Sequence, residues 1–169
     1  KHFGEPDNHR YLPWEAWQVL VDECALYRDH THIRVSSYGE TMLHPKFPMF
    51  VEYARAQGIR TSVITNGSLM TEEISRLMIG IGIESVEVSV ETHDPQLYAK
   101  IKVGLDFEEM RENVERLARL RDEAQSDLII IGSIVNQPNA NPEIEEATRF
   151  WSERVEHVSV RHFVTWGRE

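Results

Sequence analysis

One cysteine, Cys24, is all that 169 residues offer. That excludes an internal disulfide, and any cluster or zinc site built from several thiolates of this chain. Basic residues are also scarce: 18 Lys and Arg stand against 28 Asp and Glu, for a formal charge of -10. Nucleic acid and anionic membrane surfaces both reward basic patches, so neither is the expected partner. No apolar run approaches the roughly 18 residues of a membrane-spanning helix, and no signal-peptide pattern is visible. A cytoplasmic protein is the default expectation. Lys1-His2-Phe3-Gly4 begins without methionine, as an excised or processed piece would. The length suits one domain with a sizeable core.

What is present is a steady alternation of helix and strand patterns. Pro13 suits a first helical turn, and Trp14, Trp17, Leu20, Val21 and Cys24 recur at helical spacing to about Tyr27. Cys24 reads there as a small core residue. Ile33 to Ser37 reads as a strand, and Phe47 to Ala56 as a helix closed by Gly58. Arg60 to Thr65 is a strand ending in Asn66-Gly67, a pair that can also signal a hairpin. Here, however, Thr71 caps a helical run with Ile74, Leu77 and Met78 on one face. Ser85 to Val90 alternates strictly, and Asp94-Pro95 opens a short helix to about Ile101. Asp106 with Glu109 forms a capping-box signal for a long helix lined by Phe107, Met110, Val114, Leu117 and Leu120. Glu112 with Arg116, and Glu115 with Arg119, are the expected surface pairs on it. Leu128 to Val135 is an apolar strand. Asn141-Pro142 starts a helix with Ile144, Ala147, Phe150 and Trp151 inward, and His157 to Val164 is the last strand.

No hairpin is needed, so the sheet should be all parallel with right-handed crossovers. Between an open doubly wound sheet and a barrel, Ser85 to Glu91 decides. Its Val86, Val88, Val90 face is apolar, while Glu87, Ser89 and Glu91 face the other way. A strand covered by helices on both sides should be apolar on both. Arg34 with Ser36, and Ser159 with Arg161, repeat the one-sided polarity. The expected fold is therefore α/β: a partial parallel (βα) barrel of TIM-like type, one domain over residues 1–169. Its five strands form an arc of the usual eight, with helices on the convex face only. An open edge beside Ile33 to Ser37 should favour self-association. Sedimentation at rising protein concentration checks this, and a strictly monomeric protein would count against it.

Ligands in such folds bind at the carboxyl ends of the strands. The first strand breaks there at Ser37-Tyr38-Gly39, where a glycine lets backbone approach a ligand and Glu40 can accept from an ammonium group. Six short stretches share this setting. They are Tyr38-Gly39-Glu40 before Met42-Leu43-His44-Pro45; Thr65-Asn66-Gly67; Val88-Ser89-Val90-Glu91; Tyr98 to Gly104 with Phe107 and Asn113; Ile134-Val135-Asn136; and Thr165-Trp166-Gly167. In order and spacing they resemble the core of the radical S-adenosylmethionine (SAM) superfamily, the last stretch being similar to members with a C-terminal auxiliary-cluster domain. Tyr38 stands for that family's first glycine, Thr41 for its proline, Lys102 for its arginine, and Glu91 for a shorter aspartate.

The resemblance implies SAM and a [4Fe-4S] cluster as cofactors. It implies that Glu40 holds the SAM amino group and Lys102 its carboxylate. Ser89, Glu91 and Asn136 would meet the ribose and nearby groups, with Tyr38, Gly39, Thr65 and Asn66 alongside. The intact protein would be an oxidoreductase or transferase that makes a 5'-deoxyadenosyl radical and abstracts hydrogen from a small-molecule or peptide substrate. In the family a first strand and a Cys-x3-Cys-x2-Cys loop would precede Lys1. One cysteine cannot hold such a cluster, so residues 1–169 by themselves are expected to be inert, and no metal ligand is assigned among them. Two other readings stay open. One is a barrel isomerase or aldolase using Glu87 and Glu91 as acid–base carboxylates; the other is a degenerate barrel that binds a ligand or partner without chemistry. Individual residues also have plainer roles available: Glu40 as an acid at a helix start, Asn66 as a loop cap, and Glu87 as an ion-pair partner of Arg34 or Arg161. Two histidine pairs, His30 with His32 and His157 with His162, lack the spacing of two ligands on one helical turn.

Overall fold

Val86, Val88 and Val90 are fully buried against helices, while Glu87 between them faces the opposite side of the sheet. That split decides where every other element goes. The computed structural model describes residues 11–37, 39–136 and 141–162, apart from the side chains of Asn136, Asn141 and Pro142. Five strands, β1 (His32–Val35), β2 (Arg60–Thr65), β3 (Ser85–Ser89), β4 (Ile129–Asn136) and β5 (His157–His162), form one sheet in chain order. All four pairings are parallel. An order without reversal, joined by crossovers of one hand, places all the helices on one face. The helices are α1 (Trp14–Ala25), α2 (Phe47–Ala56), α3 (Glu72–Gly80), α4 (Pro95–Ile101), α5 (Phe107–Glu123) and α6 (Asn141–Ser152). The fold is the expected parallel arc. Among the described residues, β1 pairs on one side only, with β2.

Two apolar clusters hold the helices down. The larger joins Val63, Val86, Val88, Ile130 and Ile134 of the sheet to Met78, Met110, Val114, Leu117 and Trp151. The smaller fixes α1 and α2 to β1 through Trp17, Val21, Ile33, Phe50 and Ala54. Trp17 and Phe50 stack with ring centroids 4.9 Å apart, and the Trp17 indole donates to the Phe50 carbonyl at 3.0 Å. The expected inward stripe of α1 needs one correction. Leu20 is 44% exposed, because only the arc through Trp17 and Val21 reaches α2 and β1. Cys24 is half-buried, packed against that cluster rather than inside it.

Caps set the helix starts. The Thr71 side chain accepts from the Ile74 amide, Asp94 from Gln96 and Leu97, and Asp106 from Glu109. The surface pairs of α5 differ from expectation. Arg111 pairs with Glu108 and Glu115, and Arg119 with Glu123. Arg116 is withdrawn from Glu112 because it turns inward to the Met70 carbonyl, at 2.7 Å, and to Asn113. A backbone acceptor shielded from water rewards a guanidinium more than an exposed carboxylate does.

Tyr98 of α4 is fully buried, edge-on to Phe107, and its hydroxyl has no hydrogen-bond partner among the described residues. Burial, reinforced by the charge of Glu91, pushes its pKa up to about 12 from the ordinary 10.0. Between those values the unfolded chain releases the phenolic proton while the folded one keeps it. Stability from this group is therefore complete below pH 10 and is lost as pH climbs toward 12. Tyr98→Phe should remove that part of the alkaline loss, about 2–3 kcal/mol at most, and change little at neutral pH. Denaturant unfolding of both proteins between pH 8 and pH 12 is the check. Parallel pH profiles would refute the assignment.

Candidate functional site

Glu40 draws the ends of β1 and β2 together. It caps the short turn Thr41–Leu43, its Oε1 accepting from the Met42 amide at 3.0 Å and the Thr65 hydroxyl at 2.8 Å. Its Oε2 accepts from the Asn66 amide at 2.7 Å. The plainer role of an acid at a helix start is thus realised. Three of about four lone-pair sites on the carboxylate are used, which leaves one for a ligand. Asn66 is a loop cap as well: its Oδ1 accepts from the Ser68 amide at 2.9 Å and hydroxyl at 2.7 Å.

The turn after β2 depends on Gly67, which has φ +82. From α5, the buried Asn113 donates to the Gly67 carbonyl at 2.7 Å, so the long helix holds the loop that holds Glu40. In the sequence Asn113 stands out only as part of the Tyr98 to Asn113 motif. Its signal was a lone amide on an otherwise apolar helix face, beside Met110 and Val114.

At the end of β3, Glu91 adopts φ 61, a left-handed conformation that non-glycine residues resist. Its amide donates to the Ser133 carbonyl at 3.1 Å and its Oε2 accepts from the Val135 amide at 3.1 Å, tying β3 to β4. Its Oε1 lies 3.0 Å from the Lys102 ammonium, which extends from the C-terminus of α4. Glu91 therefore orients Lys102 and leaves part of that ammonium free for an anionic ligand.

A cavity of about 300 Å³ opens between these groups, lined by Ser37, Gly39, Glu40, Ile64, Thr65, Asn66, Ser89 and Lys102. A Cβ added at Gly39 would meet nothing within 4 Å, so the backbone there borders open space. Of the nine residues assigned from sequence, six line this one space, and Glu91 stands behind Lys102. Tyr38 and the Asn136 side chain lie outside the described residues, as does Thr165-Trp166-Gly167. Ser37 lines the space without belonging to the expected set; its place before Gly39 at a strand end is the sequence signal for it. A larger groove of about 740 Å³ adjoins, sharing Ser37, Gly39 and Glu40 and walled by Trp17, His44, Phe47 and Phe50. An elongated ligand anchored at Glu40 can extend into it.

Glu87 lies deeper on the same face, bound by Arg34 and Arg161. Both its oxygens are engaged by guanidinium groups, and both of Glu91 by Lys102 and a backbone amide. That occupancy weighs against acid–base chemistry by either carboxylate.

Comparison with known proteins points the same way. The family described as the Radical SAM superfamily matches residues 2–154. A probable GTP 3',8-cyclase from Methanococcus maripaludis is 27% identical over 84 residues, 50% of this chain and 28% of that protein. The Fe-coproporphyrin III synthase of Methanosarcina barkeri is 27% identical over 139 residues, 70% of this chain and 34% of that one. The chain thus spans roughly a third of the length of these relatives. Streptococcus suis SuiB, solved with S-adenosylmethionine, superposes with a TM-score of 0.74 at 14% identity, covering 94% of this chain and 35% of that one.

Proposed function

The chain belongs to the radical SAM superfamily, whose members use SAM and a [4Fe-4S] cluster, and from that premise we propose that the cavity over its strand ends is a SAM site serving radical hydrogen abstraction. The convergence of Glu40, Lys102, Ser89 and Asn66 on one space supports this reading most directly. The donor set suits the two ends of an amino acid. Glu40 keeps a lone pair for the ammonium, and Lys102 offers a point-charge contact to the carboxylate without a bidentate fork. Ser89 supplies a hydroxyl within the same space for the ribose. Glu91 is a positioning residue that holds Lys102.

The cluster is a different matter. Cys24 is the only cysteine, it lies on α1, and three thiolates are needed. Residues 1–169 do not themselves supply three thiolates, so this chain alone is expected to show no reductive cleavage. Bound to a reduced cluster, SAM would supply 5'-deoxyadenosyl radical chemistry. This chain's part is to seat SAM: Glu40 and Lys102 would fix its amino-acid end, and Ser89 would meet its ribose in the same cavity. The substrate is proposed as a small molecule or peptide.

Calorimetric titration of SAM into the protein tests the site. Saturable one-to-one heat, weakened by Lys102→Ala, is expected. Binding that ignores Lys102, or no binding at any accessible concentration, would overturn it.

A further inference from the structure

Arg34 on β1 and Arg161 on β5 come from the two outermost described strands, yet both reach Glu87 on the central strand β3. In a parallel sheet those strands lie about 10 Å to either side of β3, so the concave surface gathers both side chains over its middle. Arg161 Nη2 sits 2.6 Å from Glu87 Oε1 and 2.7 Å from Oε2. The Glu87 side chain is 5% exposed, whereas those of Arg34 and Arg161 are 46% and 45% exposed. One guanidinium is enough to neutralise a carboxylate. The second leaves the cluster with net positive charge, in a chain whose total is -10. Two guanidiniums carry ten N–H donors against about four carboxylate lone-pair sites, so Glu87 leaves most of them unused. One residue pair further along the strands, Ser89, Ser133 and Ser159 stand in register across β3, β4 and β5. Their row of hydroxyl-bearing residues runs from Ser159, two residues before Arg161 on β5, to Ser89, which lines the cavity.

We propose that Arg34 and Arg161 form a receptor for an oxyanion group, a carboxylate or phosphate, of the molecule that the barrel acts on, with Glu87 holding the two guanidinium planes side by side. The planar fork of arginine matches both oxyanions with two parallel hydrogen bonds. Glu87 fixes the forks before the ligand arrives, so less side-chain freedom is lost on binding. Its negative charge also keeps affinity moderate, as a turnover site requires. Naming this the substrate's anion rests on the SAM reading of the neighbouring cavity; the oxyanion site itself does not.

The test uses the 169-residue chain without SAM, titrated at fixed ionic strength with pyrophosphate and, separately, succinate. Saturable binding of at least one is expected, and which one binds tells phosphate from carboxylate. Arg161→Gln should weaken it roughly tenfold. Glu87→Gln should tighten it several-fold, because it removes the competing carboxylate; a purely structural ion pair predicts no gain. Arg161→Lys, which keeps the charge and loses the fork, should fall between and serves if Glu87→Gln unfolds. Arg76→Gln, on the exposed face of α3, is the control for nonspecific attraction. No binding of either anion, equal affinity in wild type and the Arg161 variants, or an equal loss in Arg76→Gln would each overturn the proposal. SAM titrations on Arg161→Gln run alongside. In that variant, unchanged SAM binding with lost anion binding supports the assignment; in the wild-type chain, SAM failure with anion binding intact sinks only the cavity reading.

Discussion

Gly67→Ala is expected to be among the most damaging single substitutions in the chain, costing about 2–5 kcal/mol. Two costs add. Its φ of +82 lies where an L side chain is disfavoured by about 1–2 kcal/mol. An added Cβ would also stand 3.0 Å from Met110 Cγ and 3.1 Å from Val88 Cγ1. Methionine can give way, but Val88 is β-branched and fixed in a central strand, so overpacking contributes a further 1–3 kcal/mol or so. For a chain of this size the melting temperature should fall by roughly 4–20 °C. Gly104→Ala is the matched comparison, because its φ is +85 and its Cβ would meet nothing. It should lose the backbone cost alone. Thermal unfolding of both variants measures the difference, and equal losses would mean that the packing around Gly67 yields freely.

The consequence for function runs through the same turn. Moving Gly67 displaces the Asn66 amide from Glu40 and strains the Asn113 contact from α5. The loop was legible in the sequence as Thr-Asn-Gly after a strand, but its support was not. Pattern reading finds elements because burial is periodic: the strict alternation of Ser85 to Glu91 gave both the strand and the polar side of the sheet. The inward stripe of α5 likewise appeared intact. Periodicity could not say that Arg116 abandons Glu112 for a backbone carbonyl, since that depends on where α5 lies against the β2 loop. It also could not place Glu91 in a left-handed conformation, because what holds it there is the amide of Val135, 44 residues away. Leu20 failed for a related reason: a helix at the end of the arc has neighbours on a narrower front than one over its middle.

Glu40 is where the structural and ligand roles have to be separated, and Glu40→Gln separates them. The amide keeps one acceptor for Met42 and Thr65 but turns a donor toward the Asn66 amide, which then loses its 2.7 Å partner. Some destabilisation is therefore expected without any ligand, about 1–3 kcal/mol for one unsatisfied buried donor. The SAM ammonium would lose a charge-assisted hydrogen bond as well. Measured well below the melting temperature, where the variant is folded, its SAM dissociation constant should rise by roughly 5- to 150-fold, corresponding to about 1–3 kcal/mol. Glu72→Gln, which removes an exposed partner of Arg76 on α3, should change neither quantity by more than a few tenths of a kcal/mol. Binding is expected to be weak in all three, since the chain contributes only its own contacts and no cluster iron, so the ratio carries the answer. A Glu40→Gln protein that melts earlier yet binds SAM as tightly as Glu72→Gln would reduce Glu40 to a strap between β1 and β2. The amino group of SAM would then need another partner, and among the described residues the lining of the cavity offers no second carboxylate.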